Sequence, residues 1–297
     1  MIWLLIGAAV VFFSVRVGLR VRRNWSDGRT GFRGLFASDA SFWVYTVLHT
    51  LVVITLVRSI MLRSYEHAML CMLSLALFIV PLALQKWLRI ELPAPLEIII
   101  LCFIYAAEIL GEINCYYVKI PGWDTILHTL NGFLCAAIGF AMVDMLNRSE
   151  RFSLSLSPGY QAMMSFCFSM TIGVLWEFVE FGCDQLFMLD MQKDFIVSQF
   201  ASVTLDETQS NIGIQVRDII RTTIETASGT QFVIEGGYLD VGILDTMKDL
   251  LVNFIGAVIF SAIGYAYVKH QGKRGSLASG FIPIVLTGRE TKDGEDS

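Results

Sequence analysis

Charge is scarce in this chain: only 16% of its 297 residues are Asp, Glu, Lys or Arg, against the roughly 25% of an ordinary soluble domain. There are six prolines, so little of the sequence is compelled to break out of helix. No basic excess exists either, because the net charge is −5, and that excludes the electropositive face a nucleic-acid partner would need. The six cysteines, Cys71, Cys102, Cys115, Cys135, Cys167 and Cys183, contain no CxxC pair, which removes the zinc-ribbon and thioredoxin-like readings. Glycine-rich phosphate loops, nucleophile elbows and HExxH or ExxH signatures are missing as well, and no internal repeat is apparent.

Apolar residues fill the space that charge leaves. They make up 55% of the sequence and the mean hydropathy is +0.60. A helix needs about 20 mostly apolar residues to cross the hydrocarbon layer. Stretches of that kind fall at 2–19, 41–62, 67–86, 95–115, 124–146, 160–185 and 246–268. The expected fold is therefore an all-α polytopic membrane protein with about seven transmembrane helices, its membrane domain spanning 1–269. The first stretch lacks a basic n-region and a small-x-small cleavage site, so it reads as a retained span rather than a signal peptide.

Lys and Arg concentrate in cytoplasmic loops, which sets the orientation. With the N-terminus outside, the inner segments collect fifteen of the twenty-two basic residues, including the cluster from Arg16 to Arg33, and the tail 270–297 is cytoplasmic. The cluster reads as a topology and headgroup determinant. Residues 186–244 form a long outer loop rich in Thr, Ser, Asp and Glu, with an amphipathic-looking run from Ile212 to Ile224 and a Gly236-Gly237 turn.

Within these apolar stretches stand ionisable residues, three or four apart: Glu108 and Glu112; Asp124 and His128; Glu177, Glu180 and Asp184; Asp245 and Asp249, followed by Asn253. Intramembrane charges are costly and by default mark function. The topology puts all four sets at outer helix ends. Residues separated by three, four or seven share a helix face, so each set points one way. At 1.5 Å per residue they spread over roughly the outer 12 Å. The expectation is one outward-facing pocket built from Glu108, Glu112, Asp124, His128, Glu177, Glu180, Asp184, Asp245, Asp249 and Asn253.

So many carboxylates raise one another's pKa unless a cation compensates. Either some are protonated, as in a proton relay, or a metal sits among them. A divalent metal ion is thus a candidate cofactor, with Glu177, Glu180, His128 and Asp249 as its candidate ligands; oxygen donors with one imidazole suit several divalent ions. The plainer alternatives are helix N-capping for Asp124 and Asp245, interhelical hydrogen bonding for the others, and close helix approach for Gly132, Ala136, Gly139, Gly256 and Ala257. His49 and His67 have no acidic neighbours at helical spacing and read as structural.

The pattern Trp123-Asp124-x-x-x-His128-x-x-x-Gly132, then Trp176-Glu177-x-x-Glu180, then Asp245-Thr246-x-x-Asp249-x-x-x-Asn253-x-x-Gly256-Ala257 resembles the YjdF-like family of uncharacterised bacterial inner-membrane proteins. The resemblance implies a multi-pass protein of the bacterial cell membrane and these polar positions, without a reaction. More remotely the pattern is similar to VanZ-like proteins, from which it departs in lacking an Arg-rich motif before the last span and in its longer outer loop.

Three classes of function follow. The pocket binds a cation or a metal-bridged polar headgroup, with metal-dependent chemistry on a lipid or cell-wall precursor as its enzymatic version. Alternatively the carboxylates and His128 serve a proton- or cation-coupled transporter, against which stands the want of repeated or broken spans. In the third class the polar core only fixes helix register. The partners are the lipid bilayer and a cation or polar headgroup, with no nucleic acid.

Overall fold

A computed structural model describes residues 40–88, 90–147, 155–269 and 284–285. The expected first span at 2–19 and the basic cluster from Arg16 to Arg33 lie outside these residues. Helices come in the order α1 (Ala40–Met61), α2 (Tyr65–Leu77), α3 (Val80–Leu88), α4 (Ala94–Tyr105), a π-helix (Ala106–Ile113), α5 (Tyr116–Lys119), α6 (Trp123–Asn147), α7 (Pro158–Phe187) and α8 (Ile243–Lys269). Five helical stretches are long and apolar enough to cross a membrane: Ala40–Met61, Tyr65–Ala83, Trp123–Asn147, Pro158–Phe187 and Ile243–Lys269. Each matches an expected span to within three residues.

The contacts divide the chain into two compact units, 1–169 with 253–297, and 170–252. In the first unit, α1 packs on α2 and α4. Its buried side chains are Ser41, Tyr45, His49, Val52, Leu56 and Ser59, a stripe repeating every three or four residues as one helix face must. His49 belongs to that stripe, its ring 5.5 Å from the Tyr45 ring, in keeping with a structural role. The opposite face exposes Val47, Leu51 and Ile54. In water such a face would be a liability; against lipid tails it costs nothing.

The expected fourth span departs from ideal geometry. From Ala106 the backbone widens into a π-helix that ends where the Asn114 amide donates to the Ile109 carbonyl, five residues back. Single π-turns are rare and collect at functional sites. Here the Ala106 carbonyl accepts the Trp123 indole N–H at 3.3 Å, tying the π-helix to the start of α6.

Small residues and hydroxyls bring the central helices together. The Ser165 and Ser169 hydroxyls of α7 donate to the Ala136 and Gly132 carbonyls of α6 at 2.6 and 2.7 Å. Between α6 and α8 the backbones nearly touch. A Cβ on Gly132 would stand 2.1 Å from the Asn253 carbonyl oxygen, and one on Gly256 would stand 2.0 Å from that of Thr129. Only glycine fits at either position. Phe260 then fills the space below, edge-on to Phe133. The strand β1 (Ile90–Glu91) pairs antiparallel with β8 (Ile284–Val285).

The second unit is not helical throughout, and here the wholly α expectation is corrected. Residues between α7 and α8 form six short strands: β2 (Ile196–Val197), β3 (Phe200–Ser202), β4 (Ile214–Val216), β5 (Arg221–Glu225), β6 (Gln231–Glu235) and β7 (Tyr238–Leu239). They pair β2 with β7, β3 with β4 and β5 with β6, all antiparallel. Thr222, Thr223, Ile224, Val233 and Ile234 supply β-branched side chains. The β5–β6 turn is closed by Gly229, at φ +81, whose N–H donates to the Thr226 carbonyl. The run from Ile212 to Ile224 therefore contains two strands broken by Asp218 at positive φ.

Candidate functional site

On α6, Asp124 lies in the first turn and His128 one turn later. His128 Nε2 is 3.3 Å from Asp124 Oδ1, with the imidazole buried and the carboxylate a quarter exposed. Helix phase alone dictates this pairing, since i and i+4 face the same way. One turn further on, the Asn131 amide donates to Asn253 Oδ1 of α8 at 3.2 Å, and Asn253 is buried. These contacts lie in the first unit.

Glu108 and Glu112 also belong to that unit, on the π-helix. Glu108 is half-buried and Glu112, one turn on, is exposed.

The remaining site residues lie in the second unit. Glu177, Glu180, Asp245 and Asp249 are buried. The Trp176 indole, itself exposed, donates to Glu180 Oε1 at 2.7 Å. Asp184 ends α7 by accepting the Met191 and Gln192 amides at 2.7 and 2.9 Å. Asp245 accepts the Lys193 amide at 2.9 Å and the Lys248 ammonium at 2.7 Å. Lys248 Nζ lies 3.6 Å from Asp249 Oδ1 as well. Thus Asp184 and Asp245 hold the loop onto its helices, and Lys248 neutralises part of the acidic set.

Residues passed over in the sequence complete this picture. Gln192 is buried and its amide donates to Thr246 Oγ1. Asp240 accepts the Phe195 amide at 2.7 Å and the Leu244 amide at 2.8 Å, capping the start of α8. An Asp three residues before an apolar helical run is a capping signal that could have been read. Beside them Asp184, Asp190, Asp194 and Gln192 line a cleft of about 250 Å³. Partial burial, then the negative neighbours Asp190, Asp240 and Asp184, push the Asp194 carboxyl above its ordinary value.

A family model described as "Predicted membrane protein (DUF2238)" matches residues 43–270. The chain belongs to this family. That assignment agrees with the apolar helices and with the resemblance to an uncharacterised membrane family. A curated relative, an uncharacterised protein of Thermotoga maritima, is 28% identical over 106 residues. Those residues are 36% of this chain and 53% of the relative, so the match spans about half of that protein's length. A bacterial membrane protein of an uncharacterised family is therefore the identity on which function must be built. No solved structure matches the chain.

Proposed function

We propose that this membrane protein binds a divalent cation near the outer ends of its helices, with Asp124 and His128 as ligands. The observation that carries the reading is the Asp124–His128 pair, a carboxylate aligning a buried imidazole at 3.3 Å. A metal-bound histidine commonly has its orientation fixed by such an oxygen partner, and a carboxylate can also ligate directly.

A carboxylate beside an imidazole suits Mn²⁺, Zn²⁺ or Mg²⁺ and leaves coordination positions open for water or a polar headgroup. In this reading the protein sits in the bacterial inner membrane with the pocket facing outward and the tail in the cytoplasm.

Elemental analysis and calorimetric titration of protein purified without chelator test the proposal, with His128→Ala and Asp124→Asn alongside. Wild type is expected to retain a stoichiometric divalent ion. Each variant should lose at least tenfold in affinity, about 1.4 kcal/mol. Wild type carrying no metal under any divalent supplementation, or variants that bind as wild type does, would refute it.

A further inference from the structure

A second site lies on the neighbouring face of α6, in the first unit. Trp123, Ile126 and Leu130 of α6 and Ile99, Cys102 and Phe103 of α4 line a cleft of about 350 Å³. That size falls within the range of about 300–1,000 Å³ in which small molecules are held. No charged side chain contributes to its walls. The Trp123 indole, hydrogen-bonded to the Ala106 carbonyl, closes its upper end. From Ala106 down to Ile98 the cleft follows α4 for eight residues, roughly 12 Å.

The cleft opens on an exposed apolar surface: Ile126 is 55% exposed and Cys102 is exposed, in a chain whose family is one of membrane proteins. Water does not stably occupy a cavity without polar partners, and an empty one forfeits dispersion contacts along its whole lining. The apolar medium of a bilayer supplies both what the lining lacks and what its exposure requires.

We propose that this cleft seats one acyl chain of a bilayer phospholipid, laid along α4 and α6 with Trp123 as its end-stop. The site is continuous with the lipid-facing surface yet differs from it in enclosing the chain on two sides. It requires no cation and stands or falls separately from the metal reading.

Full-length protein in phosphatidylcholine vesicles doped with a photoactivatable, diazirine-acyl phosphatidylcholine provides the test. Adducts are mapped on peptides by mass spectrometry in wild type, in Leu130→Trp, which fills the cleft, and in Leu51→Trp on the exposed face of α1. Labelling of 98–103 and 123–130 should exceed that of the exposed stretch around Leu51 and Ile54 several-fold. It should collapse in Leu130→Trp and persist in Leu51→Trp. Even labelling of all exposed faces, or undiminished labelling in a Leu130→Trp protein of wild-type melting temperature, overturns the proposal. If Leu130→Trp does not fold, Ile99→Phe is read by the same criteria.

Discussion

Replacing Gly256 by alanine probes the closest contact between α6 and α8. The added Cβ would stand 2.0 Å from the Thr129 carbonyl oxygen and 2.9 Å from the Phe133 amide nitrogen. Ordinary van der Waals contact begins at 3.4 Å, so relief demands a separation of roughly 1.4 Å. Backbone on both sides meets the intruder, and no rotamer change can absorb it. Overpacking of this kind costs about 1–3 kcal/mol. Separation would also stretch the Asn131–Asn253 hydrogen bond, now 3.2 Å, for about 0.6 kcal/mol more. Against this, alanine is the better helix former by about 1 kcal/mol. The net expectation is a loss of about 0.6–2.6 kcal/mol, read as an earlier midpoint in denaturant titration in detergent micelles. Gly182→Ala is the control, because a Cβ there meets nothing within 4 Å and the same propensity gain is unopposed. Equal midpoints for the two variants would refute the claim that Gly256 is required by backbone approach.

Two further outcomes follow from single contacts. Trp123→Phe keeps an aromatic ring but removes the donor to the Ala106 carbonyl, and should lower thermal stability by on the order of 1 kcal/mol; an unchanged melt would show that the widened turn holds without it. Asp206 accepts the amides of Thr208, Ser210 and Ile212 and the Thr208 hydroxyl, whose bond is the largest cause holding its carboxyl below the ordinary 3.8. Its contribution is complete above that value and is lost as pH falls through the lower folded one. Hydrogen exchange at Ser210 and Ile212 should therefore accelerate, relative to intrinsic rates, on acidification, and Asp206→Asn should remove that pH dependence while weakening protection at neutral pH.

The helices were legible in the sequence because burial in lipid writes itself as unbroken apolar length. The pairing of Asp124 with His128 was legible for a second reason: it is a matter of phase within one helix. The π-helix that carries Glu108 and Glu112 was not legible, because its wider turn leaves no mark in composition. The outer loop was missed although it carries a hairpin signal. Arg221-Thr-Thr-Ile-Glu225 and Gln231-Phe-Val-Ile-Glu235 flank a Ser228-Gly229 turn, and the abundance of polar residues masked the β-branched ones. The partners of Asp184 and Asp245, the amides of residues 191–193, become visible only once the loop folds back.

The pairing of Ile90–Glu91 with Ile284–Val285 imposes an order on biogenesis. During synthesis the first strand emerges while its partner is still untranslated, separated from it by α4 to α8 and the β loop. At about 5–20 residues per second the wait is on the order of ten to forty seconds. For all that time the loop between α3 and α4 carries backbone groups that its partner has yet to meet. The two-residue strand is too short to recruit another chain in the interval, a protection that a longer edge would forgo. Among the described residues the last strand to appear thus fastens one of the earlier loops, and the fastening can form only after every intervening helix has been made.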